Sequence, residues 1–263
     1  MSSLKALLFD VDGTLADTEE IHRKAFNAAF ADSGLDWDWD RALYHQLLEV
    51  TGGRERIRYY LDRFLPGFER PADLDGFIAR LHRDKTEHYV GMLARGHVPL
   101  RPGVERLMLD ARARGLRLAI VTTTTPANVT SLLTHSFAAD TSGWFDVIAA
   151  GDVVAHKKPA PDIYFYALQQ TGLVGAECLA FEDSVNGLRS ALSAGVDTLI
   201  TLNRFTADHD FSGAAVVLDQ LGESGNPCRL IAGEPDPGEL VDVAYLQLLH
   251  AHCRERRERL QGN

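Results

Sequence analysis

Two aspartates, Asp10 and Asp12, stand one residue apart directly after the apolar run at 6–9, and Gly13 and Thr14 follow them. On an extended chain, residues at i and i+2 point to the same side, so the two carboxylates repel one another. Held that close, they call for a cation or a shared proton. The ordinary alternative is a turn, because Asp and Gly are common turn formers after a strand. Other chemistry-bearing residues occupy comparable places. Thr122, Thr123, Thr124 and Thr125, with Asn128 beyond them, follow "LAIV"; Lys157 and Lys158 follow "FDVIAAGDVV"; Glu182 and Asp183 follow "CLAF".

These groups together fit phosphoryl transfer. Asp10, Asp12 and Asp183 offer three carboxylates to Mg²⁺, a hard cation that prefers oxygen ligands. One carboxylate can attack phosphorus and form an aspartyl-phosphate. A neighbouring one can protonate the leaving alcohol and then activate water. Thr122 can donate to a phosphoryl oxygen, and a lysine can neutralise charge spreading over those oxygens. Each element alone has a bland reading: a strand-end threonine, a solvated lysine, acidic residues favouring a helix N-terminus. The joint pattern, in this order with the DxDGT, is what singles out the chemistry.

The elements that must position these residues are readable from hydrophobic periodicity. Apolar runs at 6–9, 116–121, 145–150, 178–181, 198–202 and 214–218 are predicted as strands buried on both faces. Helical patterns at 103–115, 159–172 and 184–195 alternate with them, so the fold class is α/β with a doubly wound parallel sheet. The interval 17–97 breaks that rhythm. It carries four helical patterns, at 19–34, 40–53, 54–65 and 74–96, and no strand. It is read as a helical insertion forming a cap over the site. The expected organisation is a core of 1–16 and 98–221, a helical cap of 17–97, and a C-terminal extension of 222–263. Within that extension the Gly- and Pro-rich 222–238 is predicted as a loop, followed by a helix burying Leu240, Val241, Ala244, Tyr245, Leu248 and Leu249 on one face. Its basic end at 254–259 is expected to be solvated.

The chain has 263 residues, 45% of them apolar, enough for one large domain with an insertion. A net charge of −10 argues against a nucleic-acid or membrane-surface binder, so an anionic substrate needs local basic residues. Cys178, Cys228 and Cys253 are sparse and odd in number, lack metal-ligand spacing, and suggest reduced thiols in a cytosolic protein. "MSSLK" leads straight into the first strand, without a signal peptide, and no apolar run reaches membrane-spanning length. A cytoplasmic monomer is expected, or a plastid stromal one if a transit peptide has been removed.

The set "DVDGT", "VTTTT", "KKPAPDIY" and "EDSVNG" resembles the four motifs of the haloacid dehalogenase superfamily, and the helical insertion resembles its α-helical cap subclass. The likeness spans about 4–221. It implies that Asp10 is the nucleophile and Asp12 the general acid and base. It implies Mg²⁺ held by the Asp10 side chain, the Asp12 main-chain carbonyl and Asp183, and phosphate bound by Thr122 and Lys158. Lys158, directly before Pro159, matches the motif lysine better than Lys157 does. Aspartate at both 10 and 12 points to a phosphatase or phosphomutase rather than a dehalogenase.

A closer likeness runs through "DVDGTLADTEEIHRKAFN", "TGGRERI", "TTTTPANV", "IAAGDVVAHKKPAPDIY" and "EDSVNGL". It is similar to CbbY-type sugar-phosphate phosphatases, a Calvin-cycle-associated group acting on xylulose-1,5-bisphosphate. For such a substrate the second phosphate needs basic donors in the cap. Gly52 and Gly53 permit close approach beside Arg54 and Arg56, and His82, Arg83 and Lys85 lie on the last cap helix. The resemblance favours Arg54 and Lys85. Glu19 is placed to accept substrate hydroxyls, His22 matches a histidine used by related mutases, and Thr123, Asn128 and Tyr44 are further candidates. Two other readings share the core residues: a phosphomutase acting on a hexose phosphate, and a phosphoacceptor signalling domain.

Overall fold

The computed structural model describes residues 3–96, 98–138, 140–141 and 143–261. Met1, Ser2 and His97 therefore lie outside the described residues. Seven strands form one sheet in the order β3-β2-β1-β4-β5-β6-β7. They are β1 (Ala6–Phe9), β2 (Arg117–Thr122), β3 (Val147–Ala150), β4 (Cys178–Glu182), β5 (Asp197–Thr201), β6 (Val216–Leu218) and β7 (Leu230–Gly233). β1 to β6 pair in parallel, at the six apolar runs read from the sequence. Residues of β1 alternate between two cores: Leu7 and Phe9 join one cluster, Ala6 and Leu8 the other. Apolar side chains on both faces are why the parallel strands read as continuous runs.

Helices α5 (Val104–Ala113), α6 (Pro126–Ser136), α7 (Asp162–Thr171) and α8 (Val185–Ser193) connect these strands. The α6 helix has no counterpart among the predicted elements. Its signal was the pair Thr125–Pro126: the Thr125 hydroxyl caps it by accepting from Asn128 N, and proline fills the first turn. Between β1 and α5 the chain makes α1 (Glu19–Asp32), α2 (Arg41–Leu47), α3 (Gly53–Arg63) and α4 (Leu74–Arg95). The α2 helix stops at Leu47, short of the glycines expected to close it. This helical layer has its own aromatic core, in which Phe26, Phe30, Trp37, Trp39 and Tyr44 pack with Leu61 and Leu81. The chain enters and leaves the layer side by side. Ala16 and Leu100 form an antiparallel bridge, and Arg101 N donates to Leu15 O at 2.8 Å.

The C-terminal extension differs from its reading in two ways. Residues 222–238 are not all loop, because β7 pairs antiparallel with β6 and closes that edge of the sheet. The strand was illegible because only two of its four residues, Leu230 and Ile231, are large and apolar, and Ile231 is exposed. The final helix, α9 (Val243–Gln261), buries Leu246, Leu249 and Cys253, whereas Leu248 is 56% exposed. Its buried face is thus rotated from the one predicted. Asp242 starts the helix by accepting from Tyr245 N and Leu246 N, and that later start sets the phase. All three cysteines are buried and free. No helix among the described residues is long and apolar enough to cross a membrane.

Candidate active site

A cleft of about 650 Å³ lies between the helical layer and the carboxyl ends of β1, β2 and β4. Asp10 follows β1 and is held against β4 by its backbone N–H on Phe181 O, at 3.0 Å. Lys158, only 4% exposed, donates to Asp10 Oδ1 (2.8 Å), Glu182 Oε1 (2.6 Å) and Val121 O (2.8 Å). Its three protons therefore all have acceptors. Burial alone would lower this ammonium's pKa, but Asp10 and Glu182 outweigh it and raise it. Burial pushes the Asp10 carboxyl up to about 7, with Lys158 opposing and Glu182 adding. Burial likewise holds Asp183 well above the carboxylate range, with Asp10 and Glu182 contributing. Asn203 Nδ2 donates to Asp183 Oδ2 at 2.6 Å.

Glycines keep these carboxylates in place. A Cβ at Gly13 would run into the Asp183 carboxylate, and one at Gly187 into that of Glu182. Any side chain at either position would displace an acid from the cluster, which accounts for the glycines of "DGT" and "EDSVNG".

The two leading aspartates take different partners. Asp10, Glu182 and Asp183 each bring a ligand atom within 4.8 Å of the others, and the Asp12 carboxylate is not in that group. The expected trio of Asp10, Asp12 and Asp183 side chains is thus corrected to one containing Glu182. The reason is that Asp12 is engaged by the helical layer. Thr18 Oγ1 donates to Asp12 Oδ1 at 2.6 Å, and His22 Nε2 lies 2.8 Å from the same oxygen, at an angle poor for a formed hydrogen bond. Burial raises the Asp12 pKa, but His22, Thr18 and Lys85 together lower it below the ordinary range. Lys85 Nζ is 2.7 Å from His22 Nδ1, and His22 stacks on Tyr89 with centroids 4.1 Å apart. Burial brings Lys85 down to about 7, with Asp12 opposing and Arg56 adding.

Thr122, Thr123 and Asn128 line the cleft beside the N-terminus of α6, and the Thr122 hydroxyl accepts from Thr124 N at 3.2 Å. On the opposite wall stand Glu19, His22, Gly53, Arg54, Arg56 and Lys85. Tyr44 does not face the cleft. It is fully buried behind Glu19, donating to its Oε2 at 3.0 Å. Arg83 is also absent from the walls and pairs with Asp84 in solvent. The structure therefore gathers Asp10, Asp12, Thr122, Lys158 and Asp183 with the cap candidates around one space.

Several participants escaped the sequence reading. Glu182 is buried and shared between Lys158 and the Tyr164 hydroxyl, where the sequence offered only an acidic pair at a helix start. Lys157 spans the cleft, 3.1 Å from Glu55 on α3 and 3.0 Å from Asp152. Asn186 Nδ2 donates to Thr51 Oγ1 at 3.0 Å and Glu49 O at 3.1 Å, a second tie between the layers. The asparagine in "EDSVNG" was the available signal.

Comparison with known proteins follows this geometry. The haloacid dehalogenase-like hydrolase family matches residues 4–195. The protein CbbY of Rhodobacter capsulatus is 53% identical over 211 residues, covering 80% of this chain and 91% of that one. The plasmid-borne CbbY of Cupriavidus necator is 49% identical over 224 residues, covering 85% and 88%. Among solved structures, a CbbY mutant from Rhodobacter sphaeroides in complex with xylulose-(1,5)bisphosphate superposes with a TM-score of 0.77 at 46% identity, covering 82% of this chain and 94% of that one.

Proposed function

The chain belongs to the haloacid dehalogenase-like hydrolase family and is a CbbY-type phosphatase; from that premise we propose that it is a Mg²⁺-dependent enzyme that removes a phosphate from a pentulose bisphosphate such as xylulose-1,5-bisphosphate. The observation carrying this reading is the Asp10–Lys158–Glu182 arrangement beside Asp183, on the floor of a cleft whose far wall is basic.

The floor fits the metal that the reading requires. Its donors are carboxylate oxygens, they are crowded and buried, and one ammonium offsets only part of their charge. Asp10 and Asp183 are the residues assigned to hold Mg²⁺, together with the Asp12 carbonyl. Bound there, the ion supplies charge neutralisation at the phosphoryl oxygens.

The protein groups divide the remaining work. An Asp10 oxygen attacks phosphorus, the bond to the leaving sugar oxygen breaks, and an aspartyl-phosphate results. Lys158 keeps its proton throughout, because two carboxylates favour the charged form, and it stabilises charge on the transferring group. Thr122 and the amides opening α6 offer further donors. Asp12 passes a proton to the leaving alkoxide, then takes one from the water that cleaves the acyl phosphate. His22 and Lys85 stand in line behind Asp12 and fix its position. The second phosphate is assigned to the wall of Gly53, Arg54 and Lys85, where a strongly acidic protein has gathered local positive charge.

A phosphate-release screen over pentulose bisphosphates and common sugar monophosphates, with Mg²⁺ and with EDTA, tests the proposal. Release is expected from the bisphosphates, to be lost in EDTA and in Asp10→Asn. Parental activity in Asp10→Asn would overturn the nucleophile. Undiminished release in EDTA would overturn the metal, and a preference for monophosphates would overturn the substrate class.

A further inference from the structure

A second cluster with ligand chemistry lies at the mouth of the cleft, away from its floor. His45 sits in the last turn of α2, while Asp208 and His209 belong to the loop between β5 and β6. Each offers one ligand atom, and these atoms lie within 4.8 Å of one another. His45 Nε2 is 3.8 Å from Asp208 Oδ1. The same nitrogen donates to Phe205 O at 3.0 Å, and the imidazole stacks on the Phe205 ring, so His45 is seated on the loop. Asp208 and His209 line the cleft opening.

Four-coordinate sites with bonds of about 2.0–2.1 Å place their ligand atoms roughly 3.4 Å apart. Small side-chain rotations would close this set, and Asp208, whose side chain is 74% exposed, leaves room for water as a further ligand. Two imidazoles and one carboxylate suit a borderline divalent transition metal. They do not suit Mg²⁺, which takes oxygen ligands like those on the cleft floor. The two clusters therefore differ in the ions they select.

We propose that His45, Asp208 and His209 form a second metal site, for a transition-metal dication such as Zn²⁺, that pins the helical layer to the sheet layer across the cleft mouth. The ion takes the imidazole nitrogens in their unprotonated form, so the Nε2 proton now shared with Phe205 O is released to solvent if that nitrogen binds. Its bonds join α2 to the β5–β6 loop, where one hydrogen bond now does so. Opening slows, and with it substrate entry and product release.

Calorimetric titration of the full chain with Zn²⁺, in excess Mg²⁺ to saturate the oxygen donors of the floor, reads the site directly. One zinc per chain is expected. His45→Ala and His209→Ala should each weaken uptake by about tenfold or more, and His156→Ala, at a surface histidine away from the mouth, should leave it unchanged. His209 lies in a loop, so its variant guards against a folding defect in the helical one. Absence of zinc uptake by the parent protein, or unchanged uptake in both mouth variants, overturns the site. The same zinc should reduce turnover of the parent enzyme and spare His209→Ala. Turnover insensitive to bound zinc overturns the clamp.

Discussion

Replacing Lys158 by methionine removes one ammonium while nearly preserving side-chain volume, and so isolates the charge at the centre of the floor. The lysine is 4% exposed and bridges Asp10 and Glu182, with Val121 O as its third acceptor. Removing one partner of a buried ion pair costs about 3–5 kcal/mol, because the remaining charge is left uncompensated. The orphaned carbonyl carries a penalty of about 1–3 kcal/mol that overlaps with this and does not simply add. Protonation limits the loss: Asp10 already sits at about 7 with the lysine present and rises further without it. The expected loss is therefore about 3–5 kcal/mol near pH 8 and smaller near pH 6. Urea unfolding in EDTA measures it. Repeating the titration with Mg²⁺ separates electrostatics from packing. A ligand at a hundred times its Kd contributes about 2.7 kcal/mol, and Mg²⁺ should stabilise Lys158→Met more than the parent, since no ammonium competes for the carboxylates. A loss below about 1 kcal/mol near pH 8, within the range of ordinary surface substitutions, would refute the reasoning. So would a Mg²⁺ increment no larger than the parent's.

Two other predictions concern the metal-free protein and the tail. Asp10 titrates at about 7 in the fold against an ordinary value of 3.8, so the folded state holds its proton more tightly, and stability should fall as pH rises from about 4 through about 7. Asp12 acts oppositely, its contribution being lost only as pH falls below about 4 and through its lowered value; urea midpoints across pH in EDTA should trace both limbs, and Mg²⁺ should flatten the upper one. Leu246→Ala should cost about 2–5 kcal/mol by denaturant unfolding, because that side chain is fully buried in the main core, whereas Leu248→Ala, on the exposed face of the same helix, should stay within about 0.5 kcal/mol.

Burial is what made most of the fold readable. The six parallel strands carry apolar residues on both faces, so each stands out as a run whatever follows it. The elements that were missed lack that pattern. The β7 strand is an edge, satisfied mainly by backbone pairing, and the threonines opening α6 were read for their hydroxyls and not for their capping. At the floor, residue types and strand-end positions placed Asp10, Thr122, Lys158 and Asp183 near one another. Who bonds whom was a different matter. Lys85 reaches His22 across 63 positions of chain, and Asp12 turns toward α1 and not toward Asp10's cluster, because of packing between layers that no local pattern encodes.

The bridge between Ala16 and Leu100 fixes how the helical layer can move. Two chain segments laid edge to edge behave as a strap hinge: they bend readily across their shared width and resist both twisting and sliding. Rocking about one axis is therefore the natural freedom of the layer. Asp12, itself bridged to Ala16, rides at the pin of that hinge, while Asp10 is rooted in β1 and stays put. The separation between the two acids is thereby geared to the angle of the rock.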